Sequence, residues 1–359
     1  MGTLEMKLDP LKLCRGITRV AFNSVTSKRE DLLKKEFDHI DVRGATHHPI
    51  SQFEKDAEDA IRTFLLNESK RNKKSKVAIY FEKEKWHYFE NGEETFVEVD
   101  DLSKLKPYIC LLCDPIDGSK SDVPTVRSGY NKPIILGDTD KLFSTVIAFY
   151  LDKPNLQDAE CCAIQRWDGY QFFADKKYAF AEKAGEMASL VSLAPLNEIT
   201  LTTKLYPAAH YLHAELISTF AIQEILKELK IPENYSLGYR ATGSTTNEIL
   251  QATTTRSISF DIRDIVKKEL QKHNIKMKRG SYAHDFAPPA FFASKVAGMN
   301  VWDFEGNTLN CNLLKEETGS YFIAPEGEAS NKIYNVLRTK VIPRLPEKVK
   351  EWKDIFKYE

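Results

Sequence analysis

Two aspartates, Asp114 and Asp117, follow the apolar run Tyr108–Cys113, which predicts a buried strand. Pro115 forbids a helix between the two acids. Carboxylates gathered where a strand ends attract hard cations, which prefer oxygen ligands. This stretch therefore predicts a site for divalent metal ions.

The residues directly after the acids predict an anion site. Gly118, Ser119 and Lys120 stand where the strand turns into the start of a helix. The free backbone N–H groups of a helix N-terminus point at an anion and carry the positive end of the helix dipole. Metal ions beside a bound phosphate are what phosphoryl hydrolysis needs.

The elements that must position these residues follow from hydrophobic periodicity. Apolar residues at helical spacing predict helices over 13–25 and 53–65, and Asn91-Gly92 predicts a hairpin turn. The acidic run is followed by strands predicted over 142–150, 161–167 and 170–174. In the second half, helices are predicted over 216–229, 243–252, 286–296, 333–342 and 349–356, a strand over 257–262, and a hairpin around Glu305-Gly306.

Composition excludes several classes of protein. The chain has 359 residues and a formal net charge of -1, so it has no global field to attract nucleic acid or a membrane. No stretch approaches the roughly 20 apolar residues of a membrane span, and no secretory signal is found. Six cysteines in a chain this long predict no disulfide scaffold, and Cys110 and Cys113 are predicted to be buried strand thiols. A cytoplasmic protein is expected.

The run Asp-Pro-Ile-Asp-Gly-Ser at 114–119 resembles the signature of the inositol monophosphatase and fructose-1,6-bisphosphatase superfamily. Its members are Mg²⁺-dependent, often lithium-sensitive phosphatases. The resemblance covers roughly residues 45–330 and implies an α+β fold, the layered αβαβα sandwich of the sugar-phosphatase type. The pattern loosens around 184–197, so we predict an N-terminal domain of residues 1–190 and a C-terminal domain of residues 191–359.

Family members take a further metal ligand from a Trp-Asp pair that begins a helix. Trp302-Asp303 matches these letters, but turn residues follow it. Asp285 is preceded by His284 in place of Trp, yet an apolar helix that ends at Gly298 follows it. We therefore predict Asp285 as the ligand and Asp303 as a turn residue.

The first metal-binding Glu has three candidates. Glu82 ends the apolar strand Val77–Phe81, and we favour it because a ligand must be fixed by rigid structure. Glu93 lies in a Gly-Glu-Glu match to the family, but on the tip of the predicted hairpin. Glu84 is the third candidate.

Weaker similarities concern the substrate. Asp261 resembles the strand-end acid that contacts substrate in the family, and Gly243-Ser244 resembles its Gly-Ser/Thr turn. A surface acid and a helix N-cap explain these two features as well. The sequence also departs from the family, because residues 46–51 hold no acid where a second-helix Asp is expected, and Lys120 replaces a small polar residue.

The resemblance implies hydrolysis of an inositol phosphate or sugar phosphate by a metal-activated water, with two or three Mg²⁺ ions. It implies metal ligands from Glu82, Asp114, Asp117, Asp285 and the Ile116 carbonyl. Ser119 would position the water, and Gly118, Ser119, Lys120, Gly243, Ser244 and Asp261 would bind the substrate. The implied partner is a small phosphorylated metabolite, and the assembly a homodimer. A nucleotide 3′-phosphatase and a non-catalytic phosphate-binding protein are the alternatives.

Overall fold

The computed structural model describes residues 8–26, 52–72, 75–81, 85–117, 143–183, 185–190, 194–199, 204–207, 212–230, 238–239, 244–275, 281–315 and 317–352. The chain forms two compact units, residues 1–189 with 312–315 and residues 190–311 with 316–359. The division into domains of residues 1–190 and 191–359 stays a prediction.

The first unit begins with two long helices, as the periodicity predicted. Helix α1 spans Pro10–Thr26 and helix α2 spans Gln52–Arg71. The buried residues of α1 recur every three or four positions, which gives the helix one apolar stripe. Gly16 allows the close approach of the two helices, because a Cβ there would lie 2.6 Å from Cζ of Phe64.

The described strands of this unit form one sheet. They are β1 Val77–Phe81, β2 Trp86–Glu90, β3 Glu93–Val97, β4 Ile109–Asp117, β5 Phe143–Phe149, β6 Cys161–Arg166, β7 Gln171–Asp175, β8 Ala179–Lys183 and β9 Glu186–Ser189. Their order in the sheet is β3-β2-β1-β4-β5-β6-β7-β8-β9. Strand β1 pairs in parallel with β4, and the other neighbours pair antiparallel. A short helix, α3 (Leu102–Leu105), precedes β4.

The hairpin predicted at Asn91-Gly92 is confirmed. The backbone φ angles of these two residues are 55° and 83°, which a two-residue turn between twisted strands requires. Beside it, the Glu94 carboxylate accepts hydrogen bonds from Nε and Nη2 of Arg62, both at 2.8 Å, and lies 2.7 Å from Nδ1 of the buried His87. Glu94 therefore ties the hairpin to α2.

We predict that Glu94→Gln lowers the free energy of unfolding by about 1–3 kcal/mol at neutral pH, because the partly buried Arg62 loses the charge of its hydrogen-bonded partner. Burial alone would raise the pKa of Glu94, but hydrogen bonds from Arg62 and His87 bring it below its ordinary value. The stabilisation is therefore complete above the unfolded pKa and is lost as the pH falls through the folded pKa. Urea unfolding at pH 7 and at pH 3 measures both effects.

The matched control is Glu93→Gln, since Glu93 is the exposed neighbour of Glu94 on the same strand. We expect its unfolding midpoint to equal that of the wild type at both pH values. An equal midpoint for Glu94→Gln would contradict the assigned ion pair.

The second unit contains a smaller sheet, whose described strands are β10 Lys204–Pro207, β11 Gly238–Tyr239, β12 Ile258–Asp261, β13 Met299–Trp302 and β14 Tyr321–Pro325. Their order in the sheet is β11-β10-β12-β14-β13. Its helices are α4 Leu212–Glu228, α5 Thr245–Thr254, α6 Arg263–Lys272, α7 Ala283–Ser294, α8 Glu328–Val336 and α9 Leu345–Trp352. Between α8 and α9 the chain continues as a π-helical turn and a 3₁₀ turn over residues 337–344.

Two expectations for this unit need correction. Helix α7 begins at Ala283 instead of Phe286, so Pro288 and Pro289 lie in its second turn and not in its first. No element was predicted between the strand over 257–262 and the helix over 286–296, but α6 follows β12 almost directly. The start of α7 was predicted too late because its continuous apolar run begins only at Phe286, and α6 was not predicted because most of its residues are charged.

Each unit has its own hydrophobic core. In the first, α1 and α2 cover one face of the large sheet, and in the second the core includes residues of α4, α6, α8, α9 and the smaller sheet. All six cysteines are free, and Cys110 and Cys113 are buried strand thiols as predicted. No helix in the described part of the chain is both long and apolar enough to cross a membrane.

Candidate metal site

Asp114 and Asp117 are brought to one face of the large sheet by a β-bulge. Asp114 pairs with Thr145 and Asp117 pairs with Phe143, so three steps along β4 match two steps along β5. In a regular strand, residues three apart point to opposite faces. The one extra residue cancels this alternation, and both carboxylates therefore share a face, about 7 Å apart along the strand.

The opposite face of β4 supports this geometry. Cys113 and Ile116 are also three residues apart, and both belong to the core beneath α1 and α2. The two acids therefore lie on the face of the sheet that is turned away from these helices. They are almost fully buried, with exposed fractions of 4% for Asp114 and 8% for Asp117. Buried carboxylates are stabilised by pairing or by coordinating a metal.

The Asp114 carboxylate is fixed by its own backbone. Its Oδ1 accepts a hydrogen bond of 3.0 Å from the N–H of Ile116. Pro115 has no N–H and cannot compete for that oxygen. The strand was expected to end at Cys113, but it continues through Asp117, so the acids stand on rigid sheet and not on a loop.

The register of the strands distinguishes between the candidates for the first metal-binding Glu. Phe81, the last residue of β1, pairs with Cys113 beside Asp114. Glu82 and Glu84 follow β1 but lie outside the described residues, so Glu82 stays a prediction.

Glu93 lies at the other end of the strands. It pairs with Glu90 on β2. Phe89, the residue before Glu90, pairs with Val77 on β1, and Val77 pairs with Ile109 on β4. Ile109 stands five residues before Asp114 on β4, a distance of about 16 Å. Glu93 therefore cannot share a metal ion with Asp114 in this register.

Helix α2 supplies acids that the sequence analysis missed. Residues 46–51 hold no acid, but α2 begins only at Gln52 and carries Glu54, Asp56 and Glu58 in its first two turns. Burial raises the pKa of the Cys113 thiol, and the charges of Asp114 and Glu58 raise it further. Glu58 is thus a third carboxylate near the end of β4. Glu58 could have been identified from the sequence, because it stands beside the apolar residues of α2 that pack on the sheet.

In the second unit, Asp285 lies in the first turn of α7. Its Oδ2 accepts a hydrogen bond of 3.2 Å from the N–H of Tyr282, the residue that caps the helix. Its Oδ1 lies 3.4 Å from Nε2 of His284, whose ring is buried and stacked on that of Tyr282. The Asp285 side chain remains 24% exposed, so it is fixed in orientation and still accessible.

Pro289 in α7 explains a second contact of the helical turn that carries Asp285. Pro289 has no N–H, so the carbonyl of Asp285 lacks its usual helical donor. The hydroxyl of Thr246 on α5 lies 3.5 Å from this carbonyl oxygen, within reach of a weak hydrogen bond. Helix α5 thereby supports the turn that carries Asp285.

Asp303 is a turn residue, as predicted. Its Oδ1 accepts hydrogen bonds from the N–H groups of Glu305, Gly306 and Asn307, at 2.8, 2.9 and 2.9 Å. A carboxylate used in this way organises a loop that follows β13. Asp303 and Asp285 therefore have different local roles, because Asp303 organises a turn and Asp285 lies in the first turn of a helix.

Asp261 is fully buried at the end of β12 and forms an ion pair with Arg263. The guanidinium donates from Nε and Nη2 to the carboxylate, at 3.0 and 2.7 Å to Oδ2. Asp261 could contact a substrate only if this pair opened. Its predicted role in substrate binding stays a prediction.

Ser244 caps α5. Its backbone is extended, and its hydroxyl accepts a hydrogen bond of 3.1 Å from the N–H of Asn247. The predicted substrate residues Gly118, Ser119, Lys120 and Gly243 lie outside the described residues. The anion cradle at 118–120 therefore stays a prediction.

Across the described ranges, no group of three or more His, Cys, Asp or Glu side chains is gathered closely enough to hold a metal ion. The bulge brings together two carboxylates, Asp114 and Asp117. Their oxygen atoms and the carbonyl of the neighbouring Ile116 are the donors that Mg²⁺ prefers. The donor chemistry therefore fits the implied metal, although the described residues supply only part of a ligand shell.

Comparison with solved structures identifies the fold. The chain is similar to Leishmania major fructose-1,6-bisphosphatase in holo form, with a TM-score of 0.58 and 12% identity over 90% of this chain and 93% of that one. It is also similar to Mycobacterium tuberculosis SuhB, with a TM-score of 0.56 and 11% identity over 92% and 97% of the two chains. A staphylococcal inositol monophosphatase-1 in a LiCl-soaked inhibitory complex gives a TM-score of 0.55 and 11% identity over 93% and 97%.

No family model and no curated protein matches the sequence. At such low identity the solved structures establish the fold alone, and they confirm the predicted α+β class of the sugar-phosphatase type. The chain therefore has the fold of the inositol monophosphatase and fructose-1,6-bisphosphatase superfamily.

Proposed function

We propose that the protein is a Mg²⁺-dependent phosphate monoester hydrolase that acts on an inositol phosphate or a sugar phosphate. The observation that carries the proposal is the bulge in β4, which presents Asp114 and Asp117 on one face of the sheet. Neighbours with the same fold are named as inositol monophosphatase and fructose-1,6-bisphosphatase. The proposed substrate class comes from those names and from the signature at 114–119.

Five residues would hold the metal ions: Glu82, Asp114, Ile116 through its carbonyl, Asp117 and Asp285. Mg²⁺, when bound, supplies a Lewis acid that lowers the pKa of water and offsets negative charge on the phosphate and the leaving oxygen.

The chain's own residues orient the reactants. The bond from the Ile116 N–H holds Asp114 in one orientation, and the bond from the Tyr282 N–H does the same for Asp285. We propose that the N–H groups of Gly118, Ser119 and Lys120 bind phosphate oxygens and that the Ser119 hydroxyl positions the attacking water. Gly243, Ser244 and Asp261 remain the proposed contacts to the sugar or inositol ring.

One observation favours a second candidate, a non-catalytic phosphate-binding protein. His284 stands directly before Asp285, at the position where the resembled family has Trp. Under this alternative the protein binds phosphate esters but releases no phosphate from them.

A phosphate-release assay separates the two candidates. The substrates are inositol 1-phosphate, fructose 1,6-bisphosphate and adenosine 3′,5′-bisphosphate, each with Mg²⁺, with EDTA, and with Mg²⁺ plus LiCl. We expect Mg²⁺-dependent release from one of the first two and inhibition by LiCl. Release only from the third would indicate a nucleotide 3′-phosphatase. Release from none at saturating Mg²⁺ would favour the binding protein.

The remaining proposals concern location and assembly. The six free cysteines suit a reducing compartment, and we propose the cytoplasm. We propose a small phosphorylated metabolite as the ligand and a homodimer as the assembly. Light scattering of the purified chain would measure the mass of the assembly directly.

A further inference from the structure

The first unit contains a pocket of about 340 Å³, open to solvent, on the face of the sheet that α1 covers. Its volume lies at the lower end of the range of small-molecule sites, which is about 300–1,000 Å³. We call it the α1 pocket, lined by side chains of α1, β6, β7 and β8: Arg19, Phe22, Asn23, Gln165, Gln171 and Glu182.

The floor of the α1 pocket is rigid. Gln171 is 2% exposed, and its Nε2 donates to the carbonyl of Arg15 at 3.0 Å and to the Thr18 hydroxyl at 3.1 Å. Its Oε1 accepts from Nε of Arg15 at 2.9 Å and from Nη2 of Arg19 at 3.3 Å. A fixed amide thus anchors the guanidinium of Arg19, which lowers the entropy cost of using it to bind a ligand.

The charges around the α1 pocket leave one cation in excess. Arg15 and Arg19 both pair with Glu182, the latter at 3.5 Å. Two guanidinium groups and one carboxylate give a local charge of about +1. The Arg19 side chain is 52% exposed, and its Nε and Nη1 meet no acceptor among the described residues. These N–H groups can bind a carboxylate in the paired geometry that a guanidinium favours.

Two further residues that line the α1 pocket, Phe22 and Gln165, indicate what other groups a ligand would carry. The Phe22 ring packs against Trp167 with centroids 5.6 Å apart, so it offers a fixed apolar surface. Gln165 is 4% exposed, and its Nε2 donates to the carbonyls of Arg166 and Tyr170. Its Oε1 accepts no bond from the described part of the chain and is available to a donor on a ligand.

We propose that the α1 pocket binds a small aromatic carboxylate that carries a hydroxyl group. The carboxylate pairs with Arg19, the ring packs on Phe22, and the hydroxyl donates to Oε1 of Gln165. A monoanion matches the excess charge of about +1 better than a phosphate monoester, whose charge is close to −2 at neutral pH.

The α1 pocket is separate from the candidate metal site. Gln165 lies on the same face of β6 as Cys161 and Ala163, and this face is turned towards α1. Asp114 and Asp117 lie on the opposite face of the sheet. Asp117 on β4 pairs with Phe143 on β5, and Phe143 pairs with Arg166 on β6. The strand of Asp117 and the strand of Gln165 are therefore two strand spacings apart, which is about 10 Å.

Isothermal titration calorimetry with 4-hydroxybenzoate tests the proposal. We expect saturable binding to the wild type with Kd of about 1 mM or tighter. Arg19→Gln should weaken the affinity at least tenfold, whereas Arg71→Gln, an exposed arginine on α2, and Asp114→Asn should leave it unchanged. Benzoate, which lacks the hydroxyl, should bind more weakly, and 4-hydroxybenzyl alcohol, which lacks the charge, should not bind.

The proposal is overturned if the wild type shows no saturable binding or if Arg19→Gln binds as tightly as the wild type. It is also overturned if Asp114→Asn abolishes binding, because the probe would then occupy the metal site. Circular dichroism establishes whether Arg19→Gln is folded. Should it be unfolded, equal affinities for the three probes on the wild type would overturn the proposal.

Discussion

Asp114→Asn is expected to reduce Mg²⁺-dependent phosphate release by about 10³-fold or more. A carboxylate that would hold the catalytic metal contributes several kcal/mol of transition-state stabilisation, and each 1.4 kcal/mol changes the rate about tenfold. The fold should persist, because the Asn oxygen can still accept the hydrogen bond from the Ile116 N–H that fixes Asp114. Initial rates at saturating Mg²⁺, together with a thermal melt, measure both quantities.

The matched control for this variant is Asp152→Asn. Asp152 is an exposed aspartate of the same unit, in a turn after β5. Its activity and melting temperature should equal those of the wild type. If Asp114→Asn keeps wild-type activity while it remains folded, Asp114 does not hold the catalytic metal and the proposed mechanism fails.

Asp285→Asn is expected to lower phosphate release by about 10²-fold or more, whereas Asp303→Asn should leave it within about twofold of the wild type. Asp285 is held at the start of α7 with an accessible carboxylate. Asp303 uses its Oδ1 for three backbone N–H groups, and the Asn oxygen can still accept these bonds. Measuring kcat and the Mg²⁺ dependence of both variants distinguishes the two acids.

The opposite pattern would reverse the assignment and make Asp303 the ligand. Full activity in both variants would show that neither acid completes the metal shell. Asp303→Ala provides a further comparison, since it removes the acceptor of three backbone bonds. We expect it to lower the free energy of unfolding by about 1–2 kcal/mol without a loss of kcat.

Local patterns predicted the elements well, since periodicity and turn residues act within a few positions. The helix at 10–26, the hairpin at Asn91-Gly92 and the strand that leads to Asp114 all follow from such signals. The turn role of Asp303 followed because Glu305-Gly306 favours a turn and not a helix. The choice of Asp285 over Asp303 as a ligand stays a prediction.

Other features depend on the register between strands or on helix starts, which sequence periodicity does not determine. The bulge that aligns Asp114 with Asp117 exists only in the pairing of β4 with β5. Glu93 looked plausible by spacing along the chain, yet the sheet places it at the far end of the strands. Glu58 was not predicted because an acid was expected within residues 46–51, before α2 begins.

The pair formed by Asp261 and Arg263 was missed for a related reason. The two residues stand two apart where β12 gives way to α6, and no periodic pattern predicts a side-chain contact across such a junction. Buried charges of this kind are stabilised by their partner and not by burial. A strand-end acid followed closely by arginine should therefore be considered as an ion pair before a substrate role is assigned.

The central claim is that Asp114 and Asp117, aligned by the bulge, hold divalent cations. Isothermal titration of Mg²⁺ into the wild type, Asp114→Asn, Asp117→Asn and Asp152→Asn tests it without any substrate. We predict saturable binding to the wild type and to Asp152→Asn, and at least tenfold weaker binding to the other two variants. Wild-type affinity in Asp114→Asn and Asp117→Asn, or no Mg²⁺ binding to the wild type, would contradict the claim.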